Sequence, residues 1–144
     1  MKFILLYFGL VLFTMDALAQ QGGIQGEVLW LDGNQMPGPE TSSSQLKGVT
    51  RELYIYKTTK LADVELLSNG LYSKINSEFV TKVLSHASGS FKVKLPPGEY
   101  SVFVKEPTGF FGNIFDSNGK INCVAVKSKK YSSLTIIVDY EAAY

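Results

Sequence analysis

The sequence predicts an all-β protein, specifically a seven-stranded antiparallel β-sandwich. Apolar and polar residues alternate in about seven short runs, which is the period of a strand with one buried face. Turn-forming residues separate the runs roughly every eight to twelve residues, a spacing typical of sandwiches and barrels. No segment carries a convincing long helical pattern, so we expect sheets to bury the core against each other.

Most elements follow from these runs, taken in chain order. Besides the two strands of the segment 88–104, we expect strands over residues 24–31, 49–57, 78–84, 121–126 and 134–140, with a loop rich in Gly, Pro, Asn and Ser over 32–48. Residues 58–77 fit two alternatives. They contain several leucines that are consistent with a short helix interrupted at Gly70, or they form a loop excursion between strands.

The clearest pattern in the chain predicts a β-hairpin over residues 88–104. Every second residue is apolar from Phe91 to Leu95, so one face of this strand is apolar and the other is polar. Pro96-Pro97-Gly98 ends the strand, because proline has no amide hydrogen for a ladder and glycine tolerates positive φ. The alternation resumes at Tyr100, which predicts that the chain turns back beside the first strand.

A glycine-containing loop with three phenylalanines is predicted over residues 107–116. A solvated loop would be polar, but this segment holds Phe110, Phe111 and Phe115. Two alternatives follow. The rings fold back as a cap over the open end of the sandwich, or they project outward as a patch for a sugar, a peptide or a partner protein.

The N-terminal residues 1–19 have the features of a cleaved signal peptide. Lys2 precedes an uncharged apolar run, and Ala17-Leu18-Ala19 matches a cleavage site. We therefore expect export through the secretory pathway, to the periplasm or the exterior, and one β-sandwich domain over 20–144. The residue directly after the cleavage site is Gln20 and not a cysteine, so we do not expect a lipid anchor.

Charge and cysteine content limit the classes of function. The formal net charge is +1, which argues against the clustered basic surface that nucleic-acid binding requires. Cys123 is the single cysteine, so we expect no disulfide framework. Its place in an alternating run predicts a small, buried, unreactive residue.

Several motifs resemble the carboxypeptidase regulatory-like family, which has the prealbumin (transthyretin-like) fold. The matching residues are Gly26-Glu27-Val28, Asp32-Gly33, Pro37-Gly38-Pro39, Gly89, Phe91, Leu95-Pro96-Pro97-Gly98 and Tyr100. The end of the chain resembles a subgroup of small exported bacterial proteins whose role is undefined. The resemblance implies a prealbumin-like sandwich that accompanies other modules without performing chemistry.

The side chains that carry catalysis or metal binding are scarce. One His and one Cys do not supply the three or four ligands of a zinc site, and His86 is expected in an exposed turn. Asp116 and Asn118 precede Gly119 as in a calcium loop, but the downstream bidentate Glu is missing, so a plain Asn-Gly turn is the competing interpretation. We expect no cofactor and no enzyme activity.

The sequence thus predicts a non-enzymatic, exported accessory or interaction module of the bacterial envelope. Its partner would be an envelope protein or a glycan, and its oligomeric state stays open. A carbohydrate-binding module using exposed aromatic residues is the alternative, and a cryptic hydrolase is a more distant one. The candidate contact residues are Phe110, Phe111, Asn113, Phe115, Trp30, Tyr54 and Tyr56.

Overall fold

A computed structural model describes residues 22–34 and 46–143. The predicted signal peptide at 1–19 and the matched prolines at 37–39 lie outside the described residues. The strands are β1 (Gly22–Trp30), β2 (Gly33–Asn34), β3 (Lys47–Gly48), β4 (Glu52–Lys57), β5 (Val64–Ser68), β6 (Leu71–Ile75), β7 (Phe79–Leu84), β8 (Ser90–Leu95), β9 (Gly98–Glu106), β10 (Gly109–Phe111), β11 (Cys123–Val126), β12 (Tyr131–Val138) and β13 (Ala142–Ala143).

The strands form two main sheets and one short pair. In the smaller sheet, β1 is flanked by β12 and by β8 and β3. The larger sheet has the order β5-β6-β10-β9-β4-β7, and β11 also pairs with β9. The predicted all-β sandwich with mainly antiparallel sheets is therefore confirmed. The structure adds short strands to the predicted seven, and it pairs β1 with β12, and β13 with β2, in parallel.

The main core lies between the two sheets. It is built from the inward-facing side chains of both, as strand alternation requires. Its fully or almost fully buried members are Ile24, Val28, Leu53, Ile55, Leu71, Phe91, Leu95, Tyr100, Val102, Val104, Phe111, Val124, Val126, Ile136 and Val138. Burial of aliphatic and aromatic side chains on this scale is the dominant favourable term in folding.

The predicted hairpin over 88–104 is wrong in its pairing. β8 pairs with β1 in the smaller sheet, whereas β9 pairs with β4 in the larger one. The turn at Pro96 and Pro97 therefore carries the chain from one sheet to the other, and the Tyr100 hydroxyl donates to the Pro96 carbonyl at 2.6 Å across it. Alternation fixed which face of each strand is buried, but it cannot tell a hairpin from such a crossing, because both bury the same residues.

The segment 58–77 is neither a helix nor an unstructured loop. A short 3₁₀ turn at Leu61–Asp63 leads into a hairpin of β5 and β6. Asn69 and Gly70 form the turn, and both have positive φ (50° and 79°), as a type I′ hairpin turn requires. The ladder between β5 and β6 contains two register shifts, and the ladder between β4 and β7 contains one.

The predicted loop over 107–116 contains a strand. After a tight turn at Pro107 and Thr108, β10 runs back along β9 and also pairs with β6. Strand alternation therefore sends the two adjacent rings to opposite faces of the larger sheet: Phe111 lies in the main core, and Phe110 lies on the outer face. The three-residue strand was missed because it is short, begins with a glycine and is followed by another at 112.

Candidate interaction surface

The outer face of the larger sheet carries a continuous cluster of six aromatic rings, which we call the outer aromatic face. Outward positions on neighbouring strands come together across the ladders. The rings belong to Tyr54 and Tyr56 on β4, Tyr72 on β6, Phe79 on β7, Phe103 on β9 and Phe110 on β10.

Ring-to-ring contacts join the six side chains into one cluster, which has a buried half and an exposed half. In the buried half, Phe103 lies 6.0 Å from Tyr72 and 5.8 Å from Tyr56, centroid to centroid. In the exposed half, Tyr54 lies 5.3 Å from Phe110 and 5.8 Å from Phe79. Three of these four pairs are edge-to-face, a favoured geometry of aromatic pairs, and the Tyr54–Phe79 pair is tilted.

Exposure divides the outer aromatic face in the same way. Phe103 and Tyr72 are fully buried, since Ile121, Val64 and Ile75 pack with them in a second, smaller core. By contrast, Phe79 is 48% exposed, and Tyr54 and Phe110 are partly exposed. The sheet thus presents an apolar patch to solvent, and buried rings on the same face adjoin it.

Charged side chains border the exposed half. The Lys105 ammonium lies 4.7 Å from the centroid of Phe110, and the Lys82 ammonium lies 5.7 Å from that of Tyr54. The Tyr54 hydroxyl donates to Glu52 at 3.1 Å. These contacts place the two ammonium groups over ring faces, so the patch combines aromatic rings with polar groups at its margin.

A second cluster occupies the end of the sandwich, centred on the buried carboxylate of Glu106. Arg51 Nε donates to Glu106 Oε2 at 2.8 Å, and the Tyr140 hydroxyl donates to Oε1 at 3.0 Å. The Glu106 side chain is fully buried, while that of Arg51 is 32% exposed and its guanidinium lies over the Trp30 ring. An open cleft of about 490 Å³ runs beside Arg51 and Glu106.

The seven predicted contact residues do not form one surface. Tyr54, Tyr56 and Phe110 belong to the outer aromatic face, although Tyr56 is only 8% exposed. Trp30 and Phe111 instead contact Tyr140 at the end of the sandwich. Phe111 is fully buried in the core, so it has no surface to offer a partner.

Asn113 and Phe115 lie on the exposed loop that follows β10. The Asn113 amide donates to Asp139 at 3.1 Å, and Phe115 is 47% exposed. The loop is anchored by the buried Asn122, whose side chain accepts from the Ile114 amide and donates to the Val102 carbonyl. The two predicted fates of the phenylalanines therefore divide among the rings: Phe111 is buried, and Phe115 is exposed.

Sequence reasoning missed several members of both clusters. Phe79 and Lys82 fell within a predicted strand, but their place beside Tyr54 depends on the register between β4 and β7. Arg51 and Glu106 are 55 positions apart, so no local pattern joins them. The usable signal was the pair of candidate contact residues Tyr54 and Tyr56, which alternate with Leu53 and Ile55 and therefore share one sheet face.

The Asp116 carboxylate, considered above for calcium, serves the turn. Its Oδ1 accepts the backbone amides of Asn118 and Lys120, both at 2.9 Å, and these bonds lower the pKa of Asp116. This is the geometry of an Asx-type turn. Within residues 22–34 and 46–143, no three His, Cys, Asp or Glu side chains gather as metal ligands.

Tyr140 provides a pH-dependent contribution to stability. Burial and the adjacent Glu106 carboxylate raise the pKa of Tyr140 from 10.0 to about 12. A group whose pKa is higher in the folded than in the unfolded state makes its full contribution to stability below the unfolded-state pKa. That contribution is lost as the pH rises through the folded-state pKa. We expect the stability difference between wild type and Tyr140→Phe to shrink between about pH 10 and 12. Urea unfolding at a series of pH values measures it, and a constant difference would contradict the raised pKa.

No family model and no curated protein sequence matches the chain. The resemblance to the carboxypeptidase regulatory-like family therefore holds at the level of a β-sandwich, and membership stays a prediction. Within the described part of the chain, no helix has the length and apolar character needed to cross a membrane.

Among solved structures, the chain is similar to GBS52, the minor pilin of the gram-positive pathogen Streptococcus agalactiae. The sequence identity is 15% and the TM-score is 0.42. The match covers 83% of this chain and 44% of the pilin chain, so the present chain spans less than half of that protein's length.

Proposed function

We propose that this chain is an exported, non-enzymatic accessory module of the bacterial envelope, related to the carboxypeptidase regulatory-like family. It would bind another envelope protein through the exposed half of the outer aromatic face. One observation carries the proposal: Tyr54, Phe79 and Phe110 present contiguous ring surface to solvent on a rigid sheet. Aromatic side chains held in this way are the usual anchors of protein interfaces.

The composition of the patch favours binding over catalysis. Its polar groups are two ammonium groups placed against rings and the Glu52 carboxylate, which accepts from Tyr54 and lies 3.9 Å from Lys82. Such groups orient a partner and form hydrogen bonds at the rim of an interface, but they do not form a nucleophile with an adjacent base.

The same geometry favours a protein over a sugar as the partner. Carbohydrate stacking needs an open ring face. The ammonium groups of Lys82 and Lys105 already lie over the faces of Tyr54 and Phe110. The exposed rings are also tilted by 51° to 75° to one another, so they do not form a flat platform.

Two nearly matched substitutions test the proposal. Phe79 and Phe115 have almost equal exposure, 48% and 47%, but only Phe79 belongs to the outer aromatic face. In affinity capture from envelope extract, we expect Phe79→Ser to reduce recovery of a specific protein partner at least about tenfold, the size of a typical hot-spot effect. Phe115→Ser should leave recovery unchanged.

N-terminal sequencing of the exported protein tests the predicted signal peptide, and the sequence read should begin near residue 20.

The affinity capture also separates the competing functions. Equal recovery by both variants would move the contact away from the outer aromatic face. Retention on a glycan panel that Phe79→Ser abolishes would replace the protein partner with a carbohydrate. Melting temperatures of both variants control for misfolding.

A further inference from the structure

The last described residues, 139–143, form a strap across the end of the sandwich. Asp139 accepts a hydrogen bond from Asn113, and the Ala142 amide donates to the Asp139 carbonyl at 2.9 Å. The strap then ends in β13, which pairs in parallel with β2, apart from both main sheets. A two-residue ladder holds little backbone in place, so the strap is a candidate for opening before the sandwich unfolds.

The side chain of Tyr140 fills a recess beneath this strap. Its ring centroid lies 5.6 Å from that of Trp30, edge-on, and 5.9 Å from that of Phe111. Its hydroxyl donates to Glu106 Oε1 at 3.0 Å. The three walls of the recess therefore come from β1, β10 and β9, none of which belongs to the strap.

Each wall of the recess also has a contact outside Tyr140. Phe111 is fully buried in the main core, and the Glu106 carboxylate is fixed by Arg51 at 2.8 Å. Arg51 in turn lies over the Trp30 ring at 5.7 Å. Two aromatic walls and one oriented acceptor are the elements of a small-molecule site: an apolar slot with a fixed polar group.

We propose that this recess is a binding site for a phenol ring and that Tyr140 is its tethered occupant. When the strap opens, the site becomes available to a free phenol of the same shape and hydrogen-bonding capacity. The inference is independent of the outer aromatic face, because its walls are Trp30, Phe111 and Glu106.

The selectivity of the site follows from the buried carboxylate. A benzene ring would fill the slot but would leave Glu106 Oε1 without its donor, and an unsatisfied buried acceptor is unfavourable. A phenol restores a charge-assisted hydrogen bond. The raised pKa of Tyr140 agrees with this environment, because burial and the Glu106 carboxylate both disfavour a phenolate in this position.

The substitution Tyr140→Ala tests the proposal by emptying the recess. Phenol added at millimolar concentration replaces the missing atoms, and it stabilises the variant if it binds the folded state alone. We expect its melting temperature to rise by about 3–6 °C more than that of wild type, whose recess is occupied. Benzene should give less than half of this rise.

Tyr140→Phe is the matched control, because it keeps the ring in the slot and removes the hydroxyl. It should show no additional response to phenol. Equal phenol shifts in Tyr140→Ala and wild type would overturn the proposal, as would equal shifts by phenol and benzene. If Tyr140→Ala is unfolded, circular dichroism replaces the melting temperature: refolding by phenol supports the site, and failure to refold overturns it.

Discussion

Gly26→Ala is expected to be among the most destabilising single substitutions in this protein. Gly26 lies in β1 opposite Leu134 of β12. An added Cβ would lie 1.6 Å from the carbonyl oxygen of Leu134 and 2.6 Å from the carbonyl carbon of the same residue. These are backbone atoms of a paired strand, so no rotamer change relieves the overlap. We expect a loss of more than about 3 kcal/mol in the free energy of unfolding, beyond the usual range for surface changes.

A control for this substitution is available at Gly119. That glycine has a φ of +75° and no atom within 4 Å of an added Cβ, so alanine there meets backbone strain alone. We expect Gly119→Ala to cost about 1–2 kcal/mol. Urea denaturation of the two variants separates steric overlap from strain. A Gly26→Ala variant as stable as wild type would show that β1 and β12 are not packed this closely.

Arg51→Met is expected to have the second large effect, because it leaves the Glu106 carboxylate buried without its cation. Removing one partner of a fully buried pair costs about 3–5 kcal/mol. Arg51 is one-third exposed, so solvent screens part of the interaction, and we expect a loss of about 2–3 kcal/mol. Methionine retains much of the apolar stem, so the change reports mainly on charge.

The double variant Arg51→Met/Glu106→Gln identifies the cause. Glutamine removes the negative charge and keeps an oxygen that accepts from Tyr140. We therefore expect the double variant to be more stable than Arg51→Met alone. Urea denaturation of the wild type, both single variants and the double variant gives the interaction energy between the two positions. If the two substitutions add independently, the ion pair does not stabilise the sandwich end.

The sequence was most informative about which faces of which strands are buried. Alternation located the inward residues of β4, β8, β9 and β12, and those positions form the main core. It could not assign strands to sheets, because β8 and β9 bury the same side chains whether they pair or cross at Pro96. It also passed over β10, whose three residues are too few to show a period.

Predicting the two clusters requires information that the sequence of a single strand does not contain. Tyr54 and Tyr56 indicated an aromatic face, but the register of β7 and β10 decides that Phe79 and Phe110 join it. Glu106, next to Pro107, has the sequence context of an exposed turn. Its burial follows from Arg51 and Tyr140, which come from distant parts of the chain.

The register shifts in the larger sheet have a consequence for self-association. They lie in the ladders of β5 and β7, the strands at the two ends of the strand order, and Lys82 adds a charge to β7. A growing fibril needs an evenly spaced row of backbone groups as a template, and an irregular, charged border is a poor one. The larger sheet can therefore keep aromatic surface exposed on one face while these two borders resist strand-by-strand stacking of further copies.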